Sequence, residues 1–252
     1  MRIELFNCPI DALTMQQTLN KIDDAISTKK HLHHVVVNVA KLVHMQKNEE
    51  LRKSVVDCDI INADGQGVVW ASKILGKQIP ERVAGIDLMQ NLVQLAHEKK
   101  YTIFFFGAEE HIVEKVVEIY TTQYSKNIIA GYRNGYFKKE EEQFIANQIA
   151  NSGANILFVA MGSPKKEKFL FENREILKDV NFIMGVGGSF DVVAGKVKRA
   201  PVWVQKIGME WFYRMAQEPR RLFMRYFTTN MALIKLIMKE KFKRKVSNYH
   251  AQ

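Results

Sequence analysis

The chain has 252 residues, 47% of them hydrophobic, enough for one large domain with a full core, or a domain plus an appendage. The formal net charge is +10, but residues 196–252 hold 14 Lys and Arg against 3 Asp and Glu, while residues 1–195 hold 23 against 24. The cationic surplus therefore belongs to the tail and points to an anionic surface, membrane or nucleic acid. The two cysteines, Cys8 and Cys58, exclude a disulfide framework, and the reducing cytoplasm is the expected compartment. The opening Met1-Arg-Ile-Glu-Leu-Phe-Asn lacks the apolar run of a signal peptide, and no apolar run approaches ~20 residues.

In chain order, Leu5 to Ile10 reads as a short strand or arm and Asp11 to Ser27 as a helix, with Leu13, Leu19, Ile22 and Ile26 at helical spacing. His33 to Val39 is β-branched and apolar, a buried strand. Asn38 stands at its C-terminal end, where open α/β sheets place their ligands. His31, His33 and His34 have no Cys or carboxylate at metal-ligand spacing and read as a solvated strand entry. Lys41 to Val56 returns as one helix.

Asp59 to Asn62 is a second short strand. It delivers Ala63-Asp-Gly-Gln-Gly67 into a turn and the helix Val68 to Leu75. Asp64 thus lies at a strand-to-helix junction between glycines, placed either as a helix cap or as a general base toward a hydroxyl. Asp57-Cys58-Asp59 has the D-x-D spacing of metal-binding sugar transferases but precedes the strand instead of following it. Arg82, in the loop Pro80 to Gly85, suits a phosphate or carboxylate.

Ile86 to Lys99 is a helix, and Thr102 to Gly107 an aromatic buried strand. Gly107 opens the next helix, through about Tyr124. Asn127 to Ala130 is a short strand. Tyr136, in the loop that follows, suits either stacking on a base or packing in the core. Lys138 to Asn151 is a charged surface helix. Asn155 to Gly162 is a parallel-sheet strand, ending in Gly-Ser-Pro164 before a helix opened by Lys165, Lys166 and Lys168. These lysines either touch phosphate or form a solvated face.

Phe182 to Val186 is another buried strand. It breaks into Gly187 and Gly188, which let backbone N–H groups approach a ligand. Asp191, Lys196, Lys198, Arg199 and Pro201 follow. A glycine turn, an acid and a cation cluster form a cradle for a nucleotide diphosphate, or a tight turn with a solvated basic loop. Strands alternating with helices predict a doubly wound, Rossmann-like parallel sheet. Residues 1–195 form this core and residues 196–252 a basic appendage. Trp203, Ile207 and Trp211, then Phe223, Phe227, Met231, Ile234 and Met238, run at helical spacing among Arg214, Arg220, Arg221, Arg225, Lys235, Lys239, Lys241 and Lys243 to Lys245. This is a basic amphipathic segment suited to an anionic interface. Packing on the protein's own core and an interface in a homo-oligomer stay open.

Taken together, Asn62-Ala-Asp-Gly-Gln-Gly67, Pro80-Glu-Arg-Val-Ala-Gly-Ile-Asp-Leu-Met89, Gly162-Ser-Pro-Lys-Lys-Glu-Lys168, Gly185-Val-Gly-Gly-Ser-Phe-Asp191 with Ala194 to Pro201, and Glu210-Trp-Phe-Tyr-Arg214 resemble, in this order, the WecG/TagA/CpsF glycosyltransferase family. The resemblance covers about residues 1–225. It implies an inverting, metal-independent transferase of the GT-E type that needs no cofactor. It also implies a UDP-sugar donor, with N-acetylmannosamine or its uronic acid as the sugar, and an acceptor sugar linked to undecaprenyl diphosphate, at the inner face of the cell membrane. Asp64 matches the family's base, Asn38 and Arg82 its pocket motifs, Asp191 and Tyr136 positions near uridine, and Arg214 and Arg221 tail arginines that close over the diphosphate. Val36 stands where the family often has Thr, and Lys166 where Gln is common. The competing readings are transfer of glucose or glucuronic acid, nucleic-acid binding through the tail, and a dehydrogenase. The nucleic-acid reading finds no motif in the core. A dehydrogenase needs Gly-x-Gly-x-x-Gly after the first strand, which Val37-Asn-Val-Ala does not supply.

Overall fold

The computed structural model describes residues 1–249, with side chains described through residue 242. The expected cations Lys243 to Lys245 lie outside the described side chains. A hairpin of β1 (Arg2–Leu5) and β2 (Cys8–Asp11) precedes a six-stranded sheet. The sheet holds β3 (Leu32–Val37), β4 (Ile60–Ala63), β5 (Ile103–Gly107), β6 (Ile129–Arg133), β7 (Ile156–Ala160) and β8 (Phe182–Gly185) in the order β4-β3-β8-β7-β5-β6. Every neighbouring pair is parallel.

Twelve α-helices are described. They are α1 (Met15–Ser27), α2 (Val39–Met45), α3 (Glu49–Val56), α4 (Gln66–Ile74), α5 (Gly85–Lys99), α6 (Glu110–Gln123), α7 (Glu142–Asn151), α8 (Lys165–Glu172), α9 (Ser189–Val193), α10 (Val202–Lys206), α11 (Glu210–Gln217) and α12 (Pro219–Tyr249).

The sheet is buried on both faces because its strands are apolar at successive positions. On β5, Phe105 faces the layer of α1, α5 and α6, whereas Phe104 and Phe106 face α7 and α8. A third cluster joins the hairpin, α2, α3 and α4 to Leu233 of α12. The doubly wound reading therefore holds. Both cysteines belong to this third cluster, and burial pushes each thiol up to about 12.

Several boundaries differ from expectation. The single helix expected over 41–56 is two. Asn38 and Asn48 each accept a backbone N–H, from Lys41 and Leu51 at 2.9 Å, and so cap separate helices. The strand expected over 127–130 begins at Ile129, after a 3-10 turn over Lys126–Ile128, and runs into the expected loop. Gly131 lets this happen, since a Cβ there would lie 2.7 Å from the Phe104 ring. The helix expected over 138–151 opens with a 3-10 turn, Lys139–Glu141.

The tail is three helices. Leu222, Thr229 and Leu233 of α12 are buried, and α12 lies across α2. Its expected stripe, Phe223, Phe227, Met231, Ile234 and Met238, faces outward and is exposed. No helix among the described residues is long and apolar enough to cross a membrane.

Candidate functional site

Parallel strands present their C-terminal ends, and the helix N-termini that follow, to one edge of the sheet. Val37 of β3 pairs with Ala63 of β4, so Asn38 and Asp64 leave the sheet side by side. The Asp64 N–H donates to the Val37 carbonyl at 2.8 Å, and the Val83 N–H to the Ala63 carbonyl at 2.9 Å. The second bond draws the Pro80 to Gly85 loop over the end of β4 and sets Arg82 beside Asp64.

Asp64 is not the cap of α4: that position is Gly65, and no side chain caps the helix. Among the described residues its carboxylate has no hydrogen-bond or ion-pair partner, although its backbone is fixed. Burial pushes Asp64 up to about 6; Arg82 and Arg214 pull it down, while Glu210 and Asp87 push it up. A carboxylate poised there is ionised at neutral pH and still able to accept a proton.

The four charges Arg82, Asp87, Arg199 and Glu210 form a ring, three of whose members, Arg82, Asp87 and Glu210, act electrostatically on Asp64. Arg82 donates to Glu210 at 2.8 Å and lies 3.9 Å from Asp87. Arg199 donates to both Asp87 oxygens, at 2.5 and 2.8 Å, and lies 3.6 Å from Glu210. The ring joins the Arg82 loop, the first turn of α5, the loop after α9 and the first turn of α11. The turn between α10 and α11 sits directly on α4, because a Cβ at Gly208 would lie 2.5 Å from the Gln66 side chain. The tail thus roofs this end of the sheet. Asp87 and Glu210 were not singled out as site residues from sequence. Their available signal was position, an acid in the first turn of a helix inside a matched motif, and for Glu210 its being one of three acids in a strongly basic tail.

The chain belongs to the WecG/TagA/CpsF glycosyl transferase family, whose model matches residues 3–247. Two similar proteins, from Bacillus spizizenii and Bacillus subtilis, are 40% and 39% identical over 163 residues, 65% of this chain and 62% of each relative. Each is named an N-acetylglucosaminyldiphosphoundecaprenol N-acetyl-beta-D-mannosaminyltransferase. The chain thus aligns with about three fifths of the length of these curated relatives.

The other expected residues of this glycosyl transferase family member are spread along the same edge. Gly187, at φ 53°, makes the turn after β8, and Gly188 precedes α9. Asp191 in α9 lies 3.7 Å from Lys196, which also reaches Glu109 at 3.1 Å. Gly107 closes β5 at φ 122° and permits close backbone packing, since a Cβ there would lie 2.4 Å from the Ala160 carbonyl oxygen. Tyr136 is 70% exposed near that end, so it is no core residue. Gly107 and Tyr136 belong to the β5–β6 side, while Asp64, Asn38 and Arg82 belong to the β3–β4 side, with the glycine turn between them. Arg214 is exposed on α11, within electrostatic reach of Asp64. Arg221 is exposed and paired with Glu218 at 2.5 and 2.9 Å.

Lys166 is placed differently from its companions. It is buried on the α3–α8 face of the sheet, its stem filling the space beside Gly185. It lies 3.4 Å from Glu167, which Lys41 approaches to 3.5 Å. Burial pushes Lys41 down to about 8, and Lys166 adds to that. His31, His33 and His34 do not form the solvated strand entry expected of them: only His31 is exposed, and His34 is buried. His34 Nε2 meets Asn62 Oδ1 at 2.9 Å, His31 meets the Val180 carbonyl, and burial pushes His33 and His34 down to about 4. Asp59 accepts the His33 N–H at the N-terminal end of the sheet, far from Asp64. Among the described residues no group of three or more His, Cys, Asp or Glu is placed to hold a metal.

Proposed function

We propose that this chain transfers N-acetylmannosamine, or its uronic acid, from a UDP-sugar to an undecaprenyl-diphosphate-linked GlcNAc acceptor. The observation that carries the mechanism is Asp64, an unpartnered carboxylate pushed to about 6 between arginines at the mouth of the sheet. Asp64 takes the proton of an acceptor hydroxyl. The resulting oxygen attacks the anomeric carbon as the bond to UDP breaks on the opposite side, inverting configuration. A β product from an α-linked donor needs that inversion, in keeping with the relatives' names. Arg82, Arg199, Arg214 and Arg221 meet the departing diphosphate charge, with no divalent cation. The uridine lies toward Asp191 and Tyr136.

The acceptor's lipid lies in a membrane, and the exposed stripe of α12 with its flanking cations rests on the inner face of that membrane, leaving residues 1–195 as the sugar-transfer core. The test is UDP release by the Asp64→Asn variant with a lipid-diphosphate-GlcNAc analogue, in EDTA and in magnesium. Loss of roughly 10²–10⁴-fold in kcat with UDP binding retained is the expected result. A variant that keeps most of its turnover returns Asp64 to a structural role, and restoration by magnesium of activity lost in EDTA refutes the metal-free step.

A further inference from the structure

The Arg82 loop is drawn over the end of β4, Arg82 is within electrostatic reach of Asp64, and a guanidinium free to close on a carboxylate forms a bidentate pair. That pair would occupy the lone pairs a base needs. It does not form here, and Arg82 is held elsewhere: Glu210 Oε2 accepts from it at 2.8 Å, with both side chains largely buried, at 17% and 18% exposure. Its other acid, Asp87, is 3.9 Å away and already takes both donors of Arg199. Glu210 is thus the single short partner of Arg82 among the described residues. It comes from α11, a helix of the tail, whereas Asp64 and Arg82 come from the core.

We propose that Glu210 is a positioning residue of the transfer reaction: by holding Arg82 it keeps that cation off the Asp64 carboxylate, so the base is free only while α11 is docked. This rests on Asp64 being the base, but the first link, Glu210 to Arg82 to Asp64, can be read without turnover. The charged groups facing Asp64 are Arg82 from the loop, Asp87 from α5, and Glu210 and Arg214 from α11. Removing Glu210 releases Arg82 toward Asp64.

The experiment is a titration of the Asp64 carboxyl carbon by NMR in the full chain, assigned by its loss in Asp64→Asn. It is run on wild type, Glu210→Gln, Glu210→Asp, Arg82→Gln and the double variant of Glu210→Gln with Arg82→Gln. We expect Glu210→Gln to lower the midpoint by on the order of one unit, with a fall in kcat on the order of 10-fold and a small change in donor KM. Glu210→Asp, which keeps the carboxylate, should restore most of both. In the Arg82→Gln background the lowering should shrink to a small residue, because the cation to be released is gone. An unchanged midpoint in Glu210→Gln overturns the proposal. So does an equal lowering with and without Arg82, which would mean that Glu210 acts only through its own charge. Should Asp64→Asn keep its turnover, the base reading falls while the titration result stands, so the two failures are distinguishable.

Discussion

Asp64 carries its charge against the preference of its surroundings. Its ordinary value is 3.8 and burial lifts it to about 6, so the folded state favours the protonated form. Below the ordinary value both states are protonated and the group costs nothing. As pH rises from there, ionisation opposes folding, and the cost is complete above about 6. We therefore predict that Asp64→Asn melts a few degrees higher than wild type at about pH 7.5, with the difference vanishing near pH 3.5. Calorimetry at the two pH values checks this, and a variant that is less stable at the higher pH would contradict it. The same titration predicts that kcat falls as pH drops through about 6. A pH–rate profile on the wild-type protein is the check. A residue that destabilises the fold when charged and has no partner is the pattern expected of a working group instead of a structural one.

At the scale of elements, α12 separates two kinds of apolar side chain that look alike in sequence. Leu233 is 8% exposed and packed with the hairpin, α2 and α4, whereas Phe227 is 56% exposed. Leu233→Ala should cost about 2–4 kcal/mol in denaturant unfolding. Phe227→Ser should change stability by no more than about 0.5 kcal/mol and weaken vesicle binding instead. The central strands β5, β7 and β8 were legible because each is a short apolar run buried on both faces, and the alternation of Phe104, Phe105 and Phe106 between layers follows from that. The split between α2 and α3 was not, because Leu42, Met45 and Val55 continue one apolar stripe across the break. The signal there was Asn48, a cap hidden inside an unbroken pattern. The placing of Asp64 and Asn38 at strand ends was legible because a short apolar run ends at each, with glycines after Asp64. The ring of Arg82, Asp87, Arg199 and Glu210 was not, since its members lie on four segments and no spacing along the chain announces their meeting. Lys166 was assigned by its neighbours in sequence. The side chain turns under the sheet because Gly185 leaves room there for its stem.

At the scale of the whole molecule, the charge imbalance acquires a geometry. Through Leu222 and Leu233 the tail packs inward, through Glu210 it reaches the mouth of the sheet, and its exposed apolar stripe faces away. One segment thus touches core, site and surroundings. Binding to anionic vesicles should fall as salt rises from about 0.05 to 0.5 M, because surface attraction is screened beyond a Debye length of about 8 Å at physiological ionic strength. Co-sedimentation with and without anionic lipid checks this. Binding that ignores both salt and headgroup charge would leave the exposed stripe alone responsible.

Cys8 and Cys58 have a further use. Both are buried, and a thiol pushed up to about 12 is almost entirely protonated in neutral buffer. The wild-type protein should therefore be silent toward maleimides and other thiolate-selective reagents for as long as it stays folded. That makes it its own blank. A single Met231→Cys or Ile234→Cys substitution on the outer face of α12 would be the one reactive handle on the molecule, ready for a fluorophore or spin label with no cysteine removed first.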